Sequence, residues 1–182
     1  MKLPYEETTK RHRVIIYGHP TLRRRADEVT VFDDSLREFA REMMATMDAY
    51  EGIGLAANQV DRAVRLLVIG LPDDDDESDD RHYLAIANPV IKQSSGTLDF
   101  EEGCLSIPEI RETVTRPETI TVEFDTLNGE RKTIEASGML ARVLQHEIDH
   151  LNGVLFIDHL SPIRRSLLSS KLKRLERESQ ES

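Results

Sequence analysis

An alternating β pattern that runs directly into an amphipathic helix constrains the fold of this 182-residue chain more than any other feature. The segment TITVEFDTLNGERKTIEA alternates apolar and polar residues, and Asn128-Gly129 interrupts it with a dipeptide typical of a hairpin turn. The next segment, SGMLARVLQHEIDHLNG, has apolar residues at helical spacing and ends at Asn152-Gly153. The sequence therefore predicts a hairpin that leads into a helix beginning at Ser137 or Gly138.

Two further helices are predicted, one on each side of this unit. The segment Asp33–Gly52 has an apolar stripe at helical spacing, and Ser35 with Glu38 fits a capping box at its start. A last helix is predicted to begin at Ser161-Pro162, because serine is a good N-cap and proline suits the first helical turn. Residues 161–182 then form a C-terminal helix with a polar tail.

The middle of the chain has the pattern of β structure. Strands are predicted at Val64–Gly70 and Tyr83–Ile91, and the β pattern continues from Thr97 to Ala136. No repeat or linker divides the chain, so residues 1–182 are predicted to form a single domain. The expected fold class is α+β, with mixed or antiparallel β-sheets packed around the central His-bearing helix, an N-terminal helix and a C-terminal helix.

The charge of the chain is concentrated in one acidic run. The formal net charge is -10, and PDDDDESDD contributes seven acids, so the remainder carries -10 + 7 = -3. We interpret Asp73–Asp80 as a solvated loop, because the run lacks the glycine turn and distal glutamate of an EF-hand calcium site. The negative net charge argues against a nucleic-acid-binding surface across the whole fold, and we expect no sequence-specific nucleic-acid partner.

The N-terminus and the single cysteine bear on the cellular compartment. No apolar run approaches the roughly 18 residues of a membrane span, and the first residues lack the apolar core of a signal peptide. Cys104 is the only cysteine, so an intramolecular disulfide is excluded and a reduced compartment is expected. The sequence therefore predicts a cytoplasmic protein without a membrane partner.

The segment QHEIDH is a candidate metal site. On a helix, His146 and His150 project from one face a turn apart, and Glu147 can reach a metal-bound water. Such a pair also occurs as two ordinary histidines on a partly exposed helix. A third ligand is needed, and the position at which one metalloprotease class has its third histidine is occupied here by Phe156.

Cys104, in FEEGCLSIPEI, is the remaining candidate for the third ligand. A lone cysteine more often packs in a core than it does chemistry. Here it precedes turn residues that favour a strand ending in a loop, where a thiolate and a backbone N–H could face outward. A Cys/His/His donor set suits Fe(II), Zn(II), Co(II) or Ni(II) rather than magnesium or calcium.

The glycine-rich segment GIGLAANQV directly follows the predicted N-terminal helix. It lacks the Gly-Lys-Ser/Thr ending of a phosphate-binding loop, so a plain helix-to-strand turn is one interpretation. Gln59 provides another, because a neutral amide can donate a hydrogen bond to a developing oxyanion.

Three motifs together carry a family resemblance. GIGLAANQ, EGCLS and QHEIDH stand in the order of the three signature motifs of peptide deformylase, and HPTLRRRADEV and NGVLFIDHLS extend the likeness over nearly the whole chain. The chain resembles the bacterial-type members of that family. The resemblance implies removal of the formyl group from the N-terminal formyl-methionine of newly synthesised polypeptides, with release of formate.

The resemblance also implies roles for individual residues. The family's metal ligands fall on Cys104, His146 and His150, and its catalytic glutamate on Glu147. Its oxyanion donors fall on the Gln59 side chain and the Leu105 backbone N–H. One divalent metal ion is implied, usually Fe(II), with Zn, Ni or Co as replacements. A hydroxide on that metal would attack the formyl carbonyl, with Glu147 as general base and then acid.

Further positions match the family's substrate-binding residues. Backbone groups of Ile53 and Gly54 would bind an extended peptide, and Arg111 matches a position that contacts the peptide beyond the methionine. The apolar methionine pocket maps to Phe100, Met139 and Val143, although packing in the core is an equal interpretation for each. Arg142 stands where a purely apolar lining is expected, so we expect the pocket rim to differ.

Two contacts outside the reacting centre complete the sequence-based hypotheses. Glu102 and Asp149 are expected to pair with Arg116, which would fix the helix to the cysteine-bearing segment. The C-terminal helix carries more basic than acidic residues. This composition fits either a solvated helix face or, by family resemblance, docking to the ribosome. The basic residues are Arg164, Arg165, Lys171, Lys173, Arg174 and Arg177.

Two other functions remain open on the sequence. A metalloprotease would cut internal peptide bonds, but this interpretation leaves Cys104 and Gln59 without roles. A non-catalytic metal-binding or ribosome-binding protein would retain the metal without turnover, and it leaves Glu147 and Gln59 unexplained.

Overall fold

The computed structural model describes residues 10–72 and 81–181. The acidic segment Asp73–Asp80, which the sequence analysis interprets as a solvated loop, lies outside these residues. Within them, none of the helices combines the length and apolar character needed to cross a membrane.

Strands and helices follow one another in the order expected from the sequence patterns. The strands are β1 (Gly54–Ala56), β2 (Leu66–Pro72), β3 (Arg81–Ser95), β4 (Leu98–Cys104), β5 (Ile107–Arg116), β6 (Thr119–Asp125) and β7 (Arg131–Ser137). The helices are α1 (Asp34–Ala49), α2 (Gly138–Leu151), α3 (Pro162–Leu167) and α4 (Ser169–Gln180), with short 3-10 helices at Pro20–Arg23, Ala57–Val60 and Phe156–His159.

The strands form two antiparallel sheets. A five-stranded sheet has the order β1-β2-β3-β6-β7, and β4 pairs with β5 in a separate two-stranded sheet. The predicted hairpin at Asn128-Gly129 joins β6 to β7, and Gly129 has a positive φ of 82°. The α+β class predicted from the sequence is confirmed.

The five-stranded sheet lies between α1 and α2. Successive side chains of a strand point to opposite faces, and β2 is buried on both. Leu66 and Val68 belong to the apolar cluster that contains Met43 and Met47 of α1. Leu67 and Ile69 belong to the cluster that contains Leu144 and Ile148 of α2. The helix with the two histidines is therefore held on a rigid sheet face.

A third apolar cluster attaches the C-terminal helices to the two-stranded sheet. Leu168, Leu172 and Leu175 are buried with Ile107 and Ile110 of β5. The C-terminal segment is thus part of the core around the cysteine-bearing strand.

The start of α1 differs from the prediction. Asp33, rather than Ser35, is the N-cap, and its carboxylate accepts a hydrogen bond from the Leu36 N–H at 3.0 Å. Ser35 lies inside the helix and donates to Asp33 at 2.7 Å. The predicted Ser35–Glu38 capping box is therefore wrong, because an aspartate one step earlier takes that role.

Two other local predictions need correction. The predicted single tail helix is divided at Leu168, whose side chain is buried while those of Ile163 and Leu167 are 76% and 77% exposed. The glycine-rich segment is more than a turn, because residues 54–56 form β1 and pair with β2. Strand formation here depends on pairing with β2, the next strand along the chain, so a pattern within these three residues cannot indicate it.

Candidate active site and metal centre

A cleft of about 820 Å³ runs between α2, the two-stranded sheet and the loop before β1. It is lined by residues from all three predicted motif segments. Gln59 belongs to the first segment, Cys104 to the second, and His146 and Glu147 to the third. The cleft therefore brings together residues that are far apart in sequence.

Cys104, His146 and His150 converge at one point beside the cleft. One ligand atom from each lies within 4.8 Å of the others, and Cys104 Sγ is 3.2 Å from His150 Nε2. The histidines stand one helical turn apart on α2. The cysteine reaches them because the β4–β5 register shifts between Gly103 and Cys104, a bulge that redirects the last residue of β4.

Glu102 and Phe156 fix the ring of His146. His146 Nδ1 is 3.0 Å from Glu102 Oε2, which leaves Nε2 to face the other two ligands. The Phe156 ring stacks on the opposite side, with centroids 6.2 Å apart and an interplanar angle of 23°. Phe156, which is not a metal ligand, therefore contacts a ligand candidate and limits its rotation.

The donor set fits a divalent transition-metal ion. In a tetrahedral centre with ordinary metal–sulfur and metal–nitrogen bonds, the ligand atoms are about 3.5 Å apart. The 3.2 Å between Cys104 Sγ and His150 Nε2 agrees with that geometry, and so do the mutual distances of the three ligand atoms, which are all within 4.8 Å. Burial lowers the pKa of His150 well below its ordinary value, which favours the neutral imidazole that a metal ligand requires. Hydrogen bonds with Cys104 and Glu102 outweigh burial at His146 and raise its pKa.

Glu147 lies buried between α2 and β1. Its side chain is directed at Gly54, where an added Cβ would lie 2.4 Å from Glu147 Oε1. Among the residues that the structure describes, its buried Oε2 has no hydrogen-bond partner. Burial raises the pKa of Glu147 to about 7, which is the range suited to accepting and returning a proton near neutral pH.

The Gln59 amide has a fixed orientation. Its Oε1 accepts a hydrogen bond from the Ala56 N–H at 2.8 Å, so the Nε2 group must point the other way. That group faces Cys104 Sγ at 3.6 Å and donates to Ser106 Oγ at 3.3 Å. A hydrogen-bond donor is thus held beside the metal-ligand candidates, with Leu105 lining the same cleft.

Glu102 is the centre of a buried charged cluster. It accepts hydrogen bonds from Arg116 at 2.6 and 3.0 Å, and Arg116 also donates to Asp149 at 2.7 Å. Burial alone would raise the pKa of Glu102, but the hydrogen bonds with His146 and Arg116 lower it well below its ordinary range. The carboxylate stays ionised, and Arg116 ties the cysteine-bearing strand to α2.

The six residues predicted to bind substrate all line the cleft. Three of them expose apolar side chains there, namely Ile53 at 38%, Phe100 at 43% and Met139 at 41%. Val143 lies one helical turn beyond Met139 and is buried. Gly54 and Arg111 complete the set, and Arg111 is 3.8 Å from Glu101 at the exposed rim.

Several cleft residues were not predicted as part of a site. Leu168 and Lys171 reach the cleft from the C-terminal helices, and no local sequence pattern could reveal this. Ser106 was missed as the acceptor for Gln59, although it lies in the EGCLS motif. Arg142, which was expected to alter the pocket rim, is buried and directs its guanidinium to Glu102.

The fold and the site together define the class of protein. It is an α+β protein with a candidate Cys/His/His metal centre beside a buried carboxylate. The model of the polypeptide deformylase family matches residues 11–166. The chain belongs to the peptide deformylase family, a family of metalloenzymes.

Individual relatives agree with this family. A peptide deformylase of Wolinella succinogenes is 46% identical over 166 residues, which cover 91% of this chain and 98% of the relative. One of Brucella suis is 46% identical over 163 residues, covering 89% and 91%. The crystal structure of peptide deformylase from Thermus thermophilus has a TM-score of 0.84 at 36% identity and covers 92% of this chain and 99% of that one.

Proposed function

We propose that the chain removes the formyl group from the N-terminal formyl-methionine of newly synthesised polypeptides and releases formate. The observation that carries the proposal is the convergence of Cys104, His146 and His150 next to Glu147 and the fixed Gln59 amide. Three ligands leave a coordination position for water, as hydrolytic metal centres require. The family assignment supports the same activity.

We propose that Cys104, His146 and His150 hold one divalent ion, with Fe(II) as the native metal and Zn, Ni or Co as replacements. When bound, such an ion supplies a water of lowered pKa and polarises a carbonyl oxygen. Glu102 keeps His146 in the tautomer that ligates through Nε2. Arg116, which is itself paired with Asp149, holds Glu102 in place.

Glu147 is proposed to move the proton. Its carboxylate accepts the proton that the attacking water loses, and the new C–O bond forms at the formyl carbon. When the C–N bond breaks, the same carboxyl returns the proton to the leaving amine nitrogen. Formate and a peptide with a free N-terminus are then the products.

Gln59 and Leu105 are proposed to hold the oxyanion that forms on the formyl oxygen. The Ala56 N–H fixes the Gln59 amide, so its Nε2 donor requires no reorganisation during the reaction. The Leu105 backbone N–H is the proposed second donor.

The substrate is proposed to lie along the cleft as an extended strand. Backbone groups of Ile53 and Gly54 bind its main chain, while Phe100, Met139 and Val143 surround the methionine side chain. Arg111, at the exposed rim, contacts the peptide beyond the methionine. The exposed apolar side chains in the cleft suit an unbranched apolar residue.

Formate release by anaerobically purified protein tests the proposal. The protein is loaded separately with Fe(II), Ni(II) or Co(II), and metal content is measured before the assay. We expect formate from formyl-Met peptides and no cleavage of the same peptides without the formyl group. Glu147→Ala should keep the metal and lose at least about 100-fold in turnover. Glu135→Gln, which changes an exposed acid on β7, is the matched control.

Each result that contradicts these expectations has its own meaning. Cleavage of unformylated peptides at internal bonds would support a metalloprotease. Metal retention without formate release under all three metals would support a non-catalytic metal-binding protein. Near-normal turnover by Glu147→Ala would refute its role in proton transfer.

The proposed substrate also indicates the compartment in which the protein acts and a binding partner. Formylated nascent chains arise at the ribosome, so we place the reaction in the cytoplasm. The C-terminal helices are the proposed ribosome contact. Arg164 and Arg174 already pair with Glu112 and Glu109 of this chain, and Arg165 pairs with Asp158. Lys171 lines the cleft, so among the described residues of these helices Lys173 and Arg177 are the exposed cations left for RNA phosphates.

A further inference from the structure

Arg142 is a buried arginine on α2, one helical turn before His146. Its side chain is 7% exposed, yet it borders the cleft. A buried cation is costly unless it is paired and hydrogen-bonded. The apolar residue expected at this position would carry no such cost, so the arginine must have contacts of its own.

The guanidinium of Arg142 joins α2 to both strands of the two-stranded sheet. Nη1 donates to Glu102 Oε1 at 3.0 Å and to the Val114 carbonyl at 3.1 Å. Nη2 donates to the Leu98 carbonyl at 2.5 Å. One side chain therefore fixes the start of β4, the end of β5 and the helix relative to each other.

These anchored carbonyls flank Phe100. Phe100 pairs with Val114 across the two strands, and its ring centroid lies 5.8 Å from the Arg142 guanidinium carbon. Across the cleft, Met139 and Val143 come from the same helix as Arg142. The distance between the Phe100 ring and these two side chains thus depends on the contacts of Arg142.

A lysine could not make the same contacts. The planar guanidinium offers several N–H groups in fixed directions, whereas an ammonium is a single compact donor on a flexible stem. Glu102 also keeps its hydrogen bonds with Arg116 and His146 when Arg142 is replaced. Loss of Arg142 should therefore affect Phe100 more than the metal centre.

We propose that Arg142 is a positioning residue that holds Phe100 against the methionine pocket and so determines which first side chain the enzyme accepts. The inference rests on the proposed deformylase function. Without the guanidinium, the strand pair and the Phe100 ring gain freedom and the pocket loses its fixed width. The enzyme without Arg142 should then discriminate less strongly against peptides with a larger first residue, while the metal stays bound.

The test compares formyl-Met, formyl-Leu and formyl-Phe peptides that are otherwise identical. For Arg142→Met, which keeps the length of the stem, we expect the ratio of kcat/KM for formyl-Met over formyl-Phe to fall about tenfold, the size of effect that one methylene has in an apolar pocket. Metal content should equal that of the wild type. Arg41→Met removes an exposed arginine of α1 and serves as the matched control.

Two more variants separate positioning from plain stability. Arg142→Lys keeps the charge and most of the stem, and it should show the same loss of selectivity. Phe100→Leu should also lower the selectivity, and adding Arg142→Met to it should cause no further drop. If Arg142→Met does not fold, the Arg142→Lys comparison decides the question.

Unchanged selectivity in both Arg142 variants, with or without a lower melting temperature, would overturn the inference. Additive effects of Phe100→Leu and Arg142→Met would overturn it as well. Absence of formate release by the metal-loaded wild-type protein would instead refute the proposed function, so the two failures are distinguishable.

Discussion

Gly54 illustrates how closely the proposed base is packed. A Cβ added there would lie 2.4 Å from Glu147 Oε1 and 2.7 Å from Val143 Cγ1, distances that real side chains do not tolerate. Gly54→Ala should therefore displace the carboxylate and lower kcat about 100-fold, as misplacement by 1 Å can. Formate-release kinetics with metal analysis check this. Full activity would show that the carboxylate can move without loss.

Gln59 allows the oxyanion proposal to be tested with a single side chain. Removal of one preorganised donor typically costs about 2.7–4 kcal/mol of transition-state stabilisation. Gln59→Ala should therefore lose about 100- to 1000-fold in kcat and keep its metal. Gln93→Ala, on the exposed part of β3, is the matched control. A change in KM alone would argue for ground-state binding instead.

At the scale of secondary-structure elements, Arg116 of β5 is, with Arg142, one of two buried arginines that connect the two-stranded sheet to α2. Its side chain is 4% exposed and contacts Glu102 and Asp149. Breaking a buried pair by removing one partner costs about 3–5 kcal/mol, and loss of support for a ligand weakens metal binding about 10- to 100-fold. Arg116→Ala should show both effects in thermal melts and metal titrations.

Arg24→Ala is the control for Arg116→Ala. Its side chain is 60% exposed and pairs with Asp27, which is itself 72% exposed. Exposed pairs contribute about 0–1 kcal/mol, so stability should change little and metal affinity not at all. Equal effects of the two substitutions would contradict a special role for Arg116.

The elements also show how far local sequence patterns reach. The hairpin at Asn128-Gly129 and helix α2 follow from periodicity and turn residues, which act over a few positions. Strand β1 depends on pairing with β2, and the break at Leu168 on packing against β5. Neither contact is visible in the residues of the element itself.

For the site, spacing on a helix indicated His146 and His150 as a pair, but the residues alone left the role of Cys104 open. The resemblance to a family supplied the third ligand. The bulge after Gly103 that directs the cysteine towards α2 is a tertiary feature. Likewise, nothing local to Arg142 indicates that its guanidinium donates to two strand carbonyls.

At the scale of the whole molecule, the C-terminal helices have two separable properties. Their leucines are buried against β5, whereas Lys173 and Arg177 are exposed. Deletion of the tail would open the core, so charge reversal is the cleaner test of ribosome docking. Lys173→Glu with Arg177→Glu should keep the melting temperature and deformylation of short peptides. It should also reduce ribosome co-sedimentation, most clearly at low salt.

If the charge-reversed variant and the wild-type protein co-sediment equally with ribosomes, Lys173 and Arg177 are excluded as the ribosome contact. Lys92→Glu with Lys132→Glu, at exposed positions of β3 and β7, removes the same amount of positive charge elsewhere on the surface and controls for general electrostatics.

The separation of the site residues along the chain has a consequence for biosynthesis. Gln59 and Cys104 are 45 positions apart, Cys104 and His150 are 46 apart, and the leucines of α4 pack behind the strand that carries the cysteine. Contacts of such long range close late in folding. The site therefore forms only when almost the entire chain has been synthesised. Under the proposed function, a copy that is still being made must rely on an older, folded copy for removal of its formyl group.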